Sequence, residues 1–350
     1  MAKDVSLRSF RSYERLELTV QSGLVLAVGP NGVGKTNLLE AIHVATQGFS
    51  PRTRTDAQLV RFGADGARAA VRGRRGDAEL ELEVTIRPGE GKRARLNGAP
   101  LRAAEQLRTT VSTLVFTPDR LGVVKGAPAA RRAYFDRALG RLLPARASLP
   151  AEYGAAIAQR NAALRRVAGG HSSREAIEPW SERVTTLGAE LVRGRVEIIE
   201  LLAPAFAERA DELGLRGAAI RYEGEPPTAD ALAAALDRDV ERGTTSLGPH
   251  LDDVVLLGAD RDLRSFGSQG EQRLALLALL LAEAEAITAR SGVPPLLLLD
   301  DVLSELDPGR RLILAERVRM AGQALITATD AAMLPTSPDQ LLEVTPGAVA

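Results

Sequence analysis

The chain has 350 residues, 45% of them hydrophobic, with 45 basic and 45 acidic side chains and a formal net charge of zero. It is long enough for two or three lobes around a sizeable core, while the absence of cysteine excludes a disulfide framework or a thiolate metal site. The longest apolar stretch, Leu274 to Ala282, falls far short of the roughly 20 residues that span a bilayer. The N-terminus, Met1-Ala2-Lys3-Asp4, has no signal-peptide apolar region, so a soluble cytoplasmic protein without a membrane partner is expected. Aromatic residues make up 3% of the chain, which argues against a stacking platform for single-stranded nucleic acid.

Mixed apolar spacing from Leu7 to Val20 predicts two short strands ahead of a buried strand, Leu24 to Val28. There follows Gly29-Pro30-Asn31-Gly32-Val33-Gly34-Lys35-Thr36 and a helical pattern from Asn37 to Gln47. Gly-x-x-x-x-Gly-Lys-Thr between a strand and a helix is the spacing of a phosphate-binding loop. Its glycines let backbone N–H groups turn onto phosphate oxygens, and the new helix points its positive end the same way. Lys35 would reach the β- and γ-phosphates of ATP and Thr36 a Mg²⁺ ion. Only four of the 45 basic residues are lysines, so a lysine at position 35 stands out. A compact ammonium fits a phosphate cradle that a planar guanidinium would not.

Ser50 to Asp56 reads as an exposed basic loop near the nucleotide, carrying Arg52 and Arg54. From Ala67 to Leu101 the apolar period is two, punctuated by Pro88-Gly89-Glu90-Gly91 and Asn97-Gly98, which predicts antiparallel hairpins. Val111 to Phe116 reads as a buried strand closed by Thr117-Pro118-Asp119. Pro128 to about Gly214 is helical in pattern, broken at Pro144, Pro150, Gly169-Gly170 and Pro179, with Trp180 expected to pack partly buried. Residues 120 to 170 hold ten basic side chains against two acidic ones. This is a basic surface that a polyanion could meet, or arginines solvating helix faces.

Strand pattern returns beyond Ile220, notably at Asp253 to Leu257. Then comes Ser268-Gln269-Gly270-Glu271-Gln272 ahead of a strongly apolar helix, Leu274 to Ile287. A serine and a glycine just before a long helix offer a hydroxyl and free N–H groups to an anion. Leu296 to Leu299 is a buried strand ending in Asp300-Asp301, followed by Ser304 to Asp307. Beside a phosphate loop, the first carboxylate can hold the Mg²⁺ shell and the second can orient or deprotonate the attacking water. A last strand, Ala324 to Ala328, ends at Thr329-Asp330.

In this order the motifs resemble those of the ATP-binding-cassette ATPases and, within them, the SMC-like heads of the RecF family of bacterial DNA replication and repair proteins. The likeness runs nearly end to end. It includes Phe10-Arg11-Ser12-Tyr13, Gly29 to Thr36, Asn37 to Ile42, Phe116-Thr117-Pro118, Gly248-Pro249-His250, Ser268-Gln269-Gly270 and Asp300 to Asp307. The resemblance implies an α/β fold: an ABC-type phosphate-loop ATPase head with an antiparallel β subdomain and an inserted helical domain. The expected division is an ATPase lobe at 1–118, a basic helical insertion at 119–240, and the rest of the ATPase head at 241–350.

The same resemblance implies a site in which Gly29 to Asn37 bind ATP with Mg²⁺ on Thr36 and Asp300, and Lys35, Asp300 and Asp301 are catalytic. It makes Ser268, Gln269, Gly270 and Glu271 a signature that meets the γ-phosphate on a second subunit. Ser304 and Asp307 become a loop crossing to that partner, and Thr329 stands at a switch position where many relatives carry histidine. Thr117 to Asp119 is the candidate glutamine-loop region. Leu251 stands where the family has arginine after Gly-Pro-His, and His250 is read either as functional or as a turn residue. By the same likeness, the protein would be a slow, DNA-stimulated ATPase that forms a homodimer with ATP. It would clamp double-stranded DNA near single-strand to double-strand junctions and act with RecR and RecO, associated with the nucleoid. DNA phosphates would be met by Arg52, Arg54, Arg131, Arg132 and Arg137. An ATPase subunit of a transporter and a non-hydrolysing DNA scaffold are the alternatives. The basic helical insertion speaks against the first and the intact Asp300-Asp301 pair against the second.

Overall fold

The computed structural model describes residues 1–350, with Asp119 described by its backbone alone. Two antiparallel strands, β1 (Ala2–Phe10) and β2 (Tyr13–Thr19), open the chain. The buried β3 (Leu24–Val28) leads through the glycine-rich loop into α1 (Lys35–Gln47). The period-two region forms β4 (Ala67–Arg75), β5 (Ala78–Arg87), β6 (Gly91–Leu96) and β7 (Ala99–Pro100). Next comes β8 (Thr113–Phe116), two residues shorter at its start than the apolar run.

The helical region is α2 (Gly122–Lys125), α3 (Pro128–Leu142), α4 (Leu149–Ala168) and α5 (Glu178–Glu212). Pro128 and Pro150 sit in the first turns of α3 and α4. Proline is tolerated there because its missing N–H would have no intrahelical partner. Trp180, in the first turn of α5, is half-buried.

After β9 (Ala219–Glu223), α6 (Ala229–Ala234) and α7 (Leu236–Arg242) come β10 (Asp253–Gly258), β11 (Arg261–Asp262) and α8 (Leu263–Phe266). The long α9 (Gln269–Ser291) begins directly at the signature, five residues earlier than the apolar run. Then follow β12 (Leu296–Leu299), α10 (Pro308–Met320) and β13 (Ala324–Ala328). The chain continues into β14 (Gln340–Thr345) and β15 (Ala348–Val349), so Ala324 to Ala328 is not the last strand. β14 buries only Leu342 and Val344 while exposing Leu341, and this short alternation after a proline-rich loop gives a weak strand signal.

The chain divides into two compact units: Met1–Leu121, Glu208–Leu215 and Leu276–Ala350 form one, and Gly122–Ala207 with Arg216–Ala275 the other. In this division residues 216–275 lie with the second unit. Pairing of β10 with both β9 and β11 ties residues 219–262 together.

The first unit contains two six-stranded sheets, ordered β2-β1-β4-β5-β6-β7 and β15-β14-β3-β13-β12-β8. The first sheet is antiparallel throughout. In the second, β14, β3, β13, β12 and β8 run parallel. A shared core joins Leu7, Phe10 and Val84 of the first sheet to Val25, Leu298 and Leu325 of the second and to Leu38 and Ile42 of α1. Parallel strands place their C-terminal ends at one edge, where ligands of open α/β sheets bind. The glycine loop, Thr117, Asp300 and Thr329 all leave the sheet at that edge.

The second unit is mostly helical with the three-stranded sheet β11-β10-β9. It contains several nearly or fully buried arginines, each matched to an acid. Arg160 and Asp239, both fully buried, lie 2.8 Å apart; Arg195 meets Asp136, and Arg131 meets Asp253, each at 2.7 Å. An unpaired ion at such depth would cost several kcal/mol. Asp239 and Asp253 lie outside residues 120 to 170, so the excess of ten basic residues over two acids there overstates the free positive charge.

Candidate nucleotide-binding site

The phosphate loop is held by what precedes it. Gly34, at φ +119°, caps α1; a β-carbon there would come within 2.8 Å of Ser12 Oγ, and the Tyr13 hydroxyl donates to the Gly34 carbonyl at 3.0 Å. Gly29 is equally constrained, since a β-carbon would lie 2.4 Å from the Val344 carbonyl oxygen. At these two positions a close approach leaves no room for a side chain, whereas Gly32 needs glycine for its backbone alone, at φ +84°. Burial pushes the Tyr13 hydroxyl up to about 12, so it remains a donor. Asn37 Nδ2 donates to Ser12 Oγ at 3.0 Å. Arg11, itself at φ +51°, donates twice to the buried Glu40 at 2.9 Å. Phe10-Arg11-Ser12-Tyr13 thus buttresses the loop and the first turns of α1.

No side chain caps α1, and its first turn carries no acid. The leading N–H groups of the helix are therefore available to an anion. Lys35 Nζ donates to the carbonyls of Gly29 and Pro30 at 2.5 and 2.9 Å, curling back over the loop. Burial lowers its pKa, while Asp301 and Asp300 oppose that shift. Asn31 and Gly32 are exposed, whereas Val33 anchors the loop in the core.

Across the strand end, Thr36 Oγ1 donates to both Asp300 oxygens, at 3.0 and 2.9 Å. Thr327 Oγ1 donates to Asp300 Oδ1 at 2.7 Å and accepts the Asp301 N–H at 2.9 Å. Burial raises the Asp300 pKa, and the hydroxyls of Thr327 and Thr36 pull against it. Asp301 follows at φ +48°, with its Oδ1 buried and without a hydrogen-bond partner. The oxygen donors of Thr36 and Asp300, with one orphaned carboxylate oxygen beside them, suit Mg²⁺. That ion is usually held by one or two carboxylates plus substrate phosphates rather than by an all-protein cage. Among the described residues there is no group of three or more acids, histidines or cysteines able to hold a metal alone.

Thr327 was not singled out by sequence reasoning, and Thr329 was. Thr329 is exposed and its hydroxyl faces Met333 Sδ at 3.3 Å. The strand register explains the difference: Leu299 pairs with Ile326, so Asp300 lies level with Thr327, two residues before Thr329. Ser304 Oγ donates to the Asp301 carbonyl at 3.0 Å, closing the turn after the carboxylates, and Asp307 caps α10 by accepting the Arg310 N–H at 3.0 Å. Thr117 is buried, and the glutamine-loop region ends at Asp119, whose side chain lies outside the described residues.

The signature segment stands in the second unit. Ser268 is exposed and forms a reciprocal cap with Glu271. The Ser268 N–H and Oγ both reach Glu271 Oε2 at 2.8 Å, and the Glu271 N–H returns to Ser268 Oγ at 3.2 Å. These contacts hold the Glu271 carboxyl below its usual range. Ser-x-x-Glu is a capping-box pattern, a signal that the sequence offered and that fixes where α9 begins. Gln269 and Gly270 are exposed in its first turn, and the buried Gln272 donates to the carbonyls of Leu263 and Gly267.

The arginines divide. Arg131 is not placed for a DNA phosphate: it is 2% exposed, and its guanidinium grips Asp253 and the carbonyls of Val124 and Gly126. Arg132 donates to the Asp252 carbonyl and, like Arg137, is half-buried. Arg52 leans on Glu40 and Asn37 with part of its side chain exposed. Arg54 is exposed. His250 lies between the Tyr153 hydroxyl, 2.9 Å from Nδ1, and the Thr245 carbonyl, 3.2 Å from Nε2. Burial lowers its pKa, and these contacts make it a turn anchor.

A family model described as the RecF/RecN/SMC N terminal domain matches residues 1–348. The DNA replication and repair protein RecF of Frankia alni is 38% identical over 355 residues, covering 95% of this chain and 94% of the relative. The chain belongs to the RecF family. The RecF protein of Kineococcus radiotolerans is likewise 38% identical, over 93% of this chain and 91% of its own length. A solved structure of the recombination mediator protein RecF-ATP in the RecFOR pathway superposes with a TM-score of 0.91 at 26% identity, covering all of this chain and 96% of that one. The ABC-type ATPase head expected from the motifs is thus the fold of a RecF-family protein.

Proposed function

We propose that this RecF-family chain is an ATP-dependent DNA repair protein whose two copies close on two ATP molecules, hold duplex DNA near single-strand gaps, and part on hydrolysis. The observation that carries this reading is the contact of Thr36 with Asp300, which joins the phosphate loop to the carboxylate strand. Support also comes from relatives named as DNA replication and repair proteins and from a RecF-ATP structure of high similarity. Exposure of Ser268 and Gly270 at the start of α9 leaves them open to a second copy's γ-phosphate.

In this reading Gly29 to Asn37 wrap the phosphates and Lys35 exchanges the Gly29 and Pro30 carbonyls for β- and γ-phosphate oxygens. Mg²⁺, held through Thr36 and Asp300, would offset phosphate charge. Asp301 takes a proton from the attacking water as the water oxygen bonds to the γ-phosphorus and ADP departs with the bridging oxygen. Ser304 and Asp307 lie on the loop facing the partner copy. ATP then acts as a ligand that favours the associated state, by linkage. DNA would be met through phosphates by arginines such as Arg54 and Arg52, with binding that weakens steeply with salt. Action with RecR and RecO in loading recombinase, and association with the nucleoid, belong to the same proposal.

Sedimentation of Asp301→Asn, with and without ATP and duplex DNA at two salt concentrations, tests it. Accumulation of an ATP-bound dimer is expected; single subunits at every concentration of ATP-saturated protein would overturn the reading.

A further inference from the structure

The outer face of the antiparallel sheet carries its charges in rows set by strand register. Arg15 of β2 faces Arg8 of β1, Arg8 faces Arg68 of β4, Arg68 faces Thr85 of β5, and Thr85 faces Arg93 of β6. Residues directly opposite one another project to the same face. The alternate positions, among them Leu7, Leu16, Ala69, Val84 and Ala94, are buried in the core. One line across five strands therefore holds four arginines, a threonine and no carboxylate. At about 4.8 Å per strand it runs roughly 19 Å.

The acids of this face lie in the neighbouring rows and are committed there. Ser6 Oγ donates to Glu17 and Thr19 Oγ1 to Asp4, each at 3.0 Å, while Arg68 pairs with Glu83 at 2.7 Å and Arg72 with Glu81 at 3.2 Å. Arg93 reaches Glu90 in the hairpin turn at 3.4 Å and keeps most of its side chain exposed. Arg8 and Arg15 are both exposed, and among the described residues neither has an acid within ion-pair distance. Two like charges directly opposite each other destabilise a strand pair. An anion lying across both turns that repulsion into attraction.

We propose that the row Arg15–Arg8–Arg68, continued by Arg93, is a phosphate track for the backbone of duplex DNA. The inference rests on the DNA-binding reading above and deepens it, by naming the surface that meets the duplex. Guanidinium groups one strand apart, with no apolar or aromatic side chain in the row, suit a repeating anion. They offer nothing for a single-stranded base to stack on and no apolar anchor for a peptide. The length of the row matches five or six base pairs at about 3.4 Å each. Contacts of this kind hold a duplex in place without reading its sequence.

The test is salt titration of binding to a blunt, fluorescently labelled duplex by the full-length protein with ATP. It compares wild type with Arg8→Gln, Arg15→Gln and the double variant, and with Arg72→Gln, which removes the same charge from the same face at a position already paired with Glu81. Each of the first two should lower the slope of log affinity against log salt by about 0.9, and the double variant by about 1.8. Binding near 0.1 M salt should weaken roughly five- to tenfold per residue, alike for duplexes of different sequence. Arg72→Gln should stay within about twofold of wild type. Neither Arg8→Gln nor Arg15→Gln should melt below wild type, because each relieves the facing repulsion. A wild-type slope in the double variant would overturn the inference. An equal loss in Arg72→Gln would do the same, by reducing the effect to net charge. Loss of polyglutamate binding in the double variant, with duplex binding kept, would give the row to an acidic protein partner and overturn it as well. If wild-type protein bound no duplex at any salt concentration, the DNA-binding reading itself would fall, a result distinct from these.

Discussion

Replacing Thr327 by valine exchanges one hydroxyl for a methyl at a fully buried position, and it removes two hydrogen bonds at once. The hydroxyl donates to the Asp300 carboxylate at 2.7 Å and accepts the Asp301 N–H at 2.9 Å. A hydrogen bond to a charged group contributes roughly 1.5–3 kcal/mol, and an orphaned buried N–H costs about 1–3 kcal/mol. The added methyl returns about 1 kcal/mol of apolar burial, leaving a net loss of about 3 kcal/mol and a melting point lower by roughly 6–12 °C. Thr327→Ser keeps both bonds and loses one methyl, so about 1 kcal/mol is expected.

The loss should depend on pH with a definite sign. Burial already raises the Asp300 pKa, and the Thr327 hydroxyl holds it down; without it the pKa rises further. A carboxylate with a raised folded-state pKa contributes stability that is fully present below its ordinary value near 3.8 and is lost as pH rises through the folded pKa. The valine variant's deficit should therefore grow from acid toward neutral pH. Denaturant melts of wild type, Thr327→Ser and Thr327→Val at two pH values measure all of this. Equal deficits for serine and valine, or a valine variant melting within a degree of wild type, would refute the bridging role.

Lys35→Met should abolish ATP binding, read by fluorescent-nucleotide titration, with little change in fold, because the hydrogen bonds of Lys35 Nζ go to the loop carbonyls of Gly29 and Pro30. Ser268→Arg should leave ATP binding intact and block pairing, seen by sizing chromatography with ATP; an undiminished dimer would remove Ser268 from the partner's pocket. Glu40→Ala removes a fully buried carboxylate on which Arg11 and Arg52 both close. Thermal melting should show a loss of about 3–5 kcal/mol, and limited proteolysis should open the loop after α1. His250 has a pKa lowered first by burial. Its contribution is therefore present above about 6.5 and lost as pH falls through the folded value. A His250→Gln variant should show a shallower acid-side decline in stability than wild type.

What the sequence made legible was chemistry carried by spacing along the chain. Gly29 to Thr36 and Leu296 to Asp301 are each continuous, so their roles can be read without knowing what lies beside them. Thr327 could not be read this way. It matters because parallel pairing sets β13 beside β12, and the register between two strands leaves no trace in local pattern. The arginines failed for a related reason. Arg131 and Arg160 look like surface charge within residues 120 to 170, because the acids that neutralise them, Asp253 and Asp239, arrive from distant segments. A count over a window measures free charge only when ion pairs are local. That leaves exposed cations without a deep partner, Arg54 above all, as the residues whose replacement should lower the salt dependence of DNA binding. Arg131 replaced by methionine should instead change the stability of the second unit.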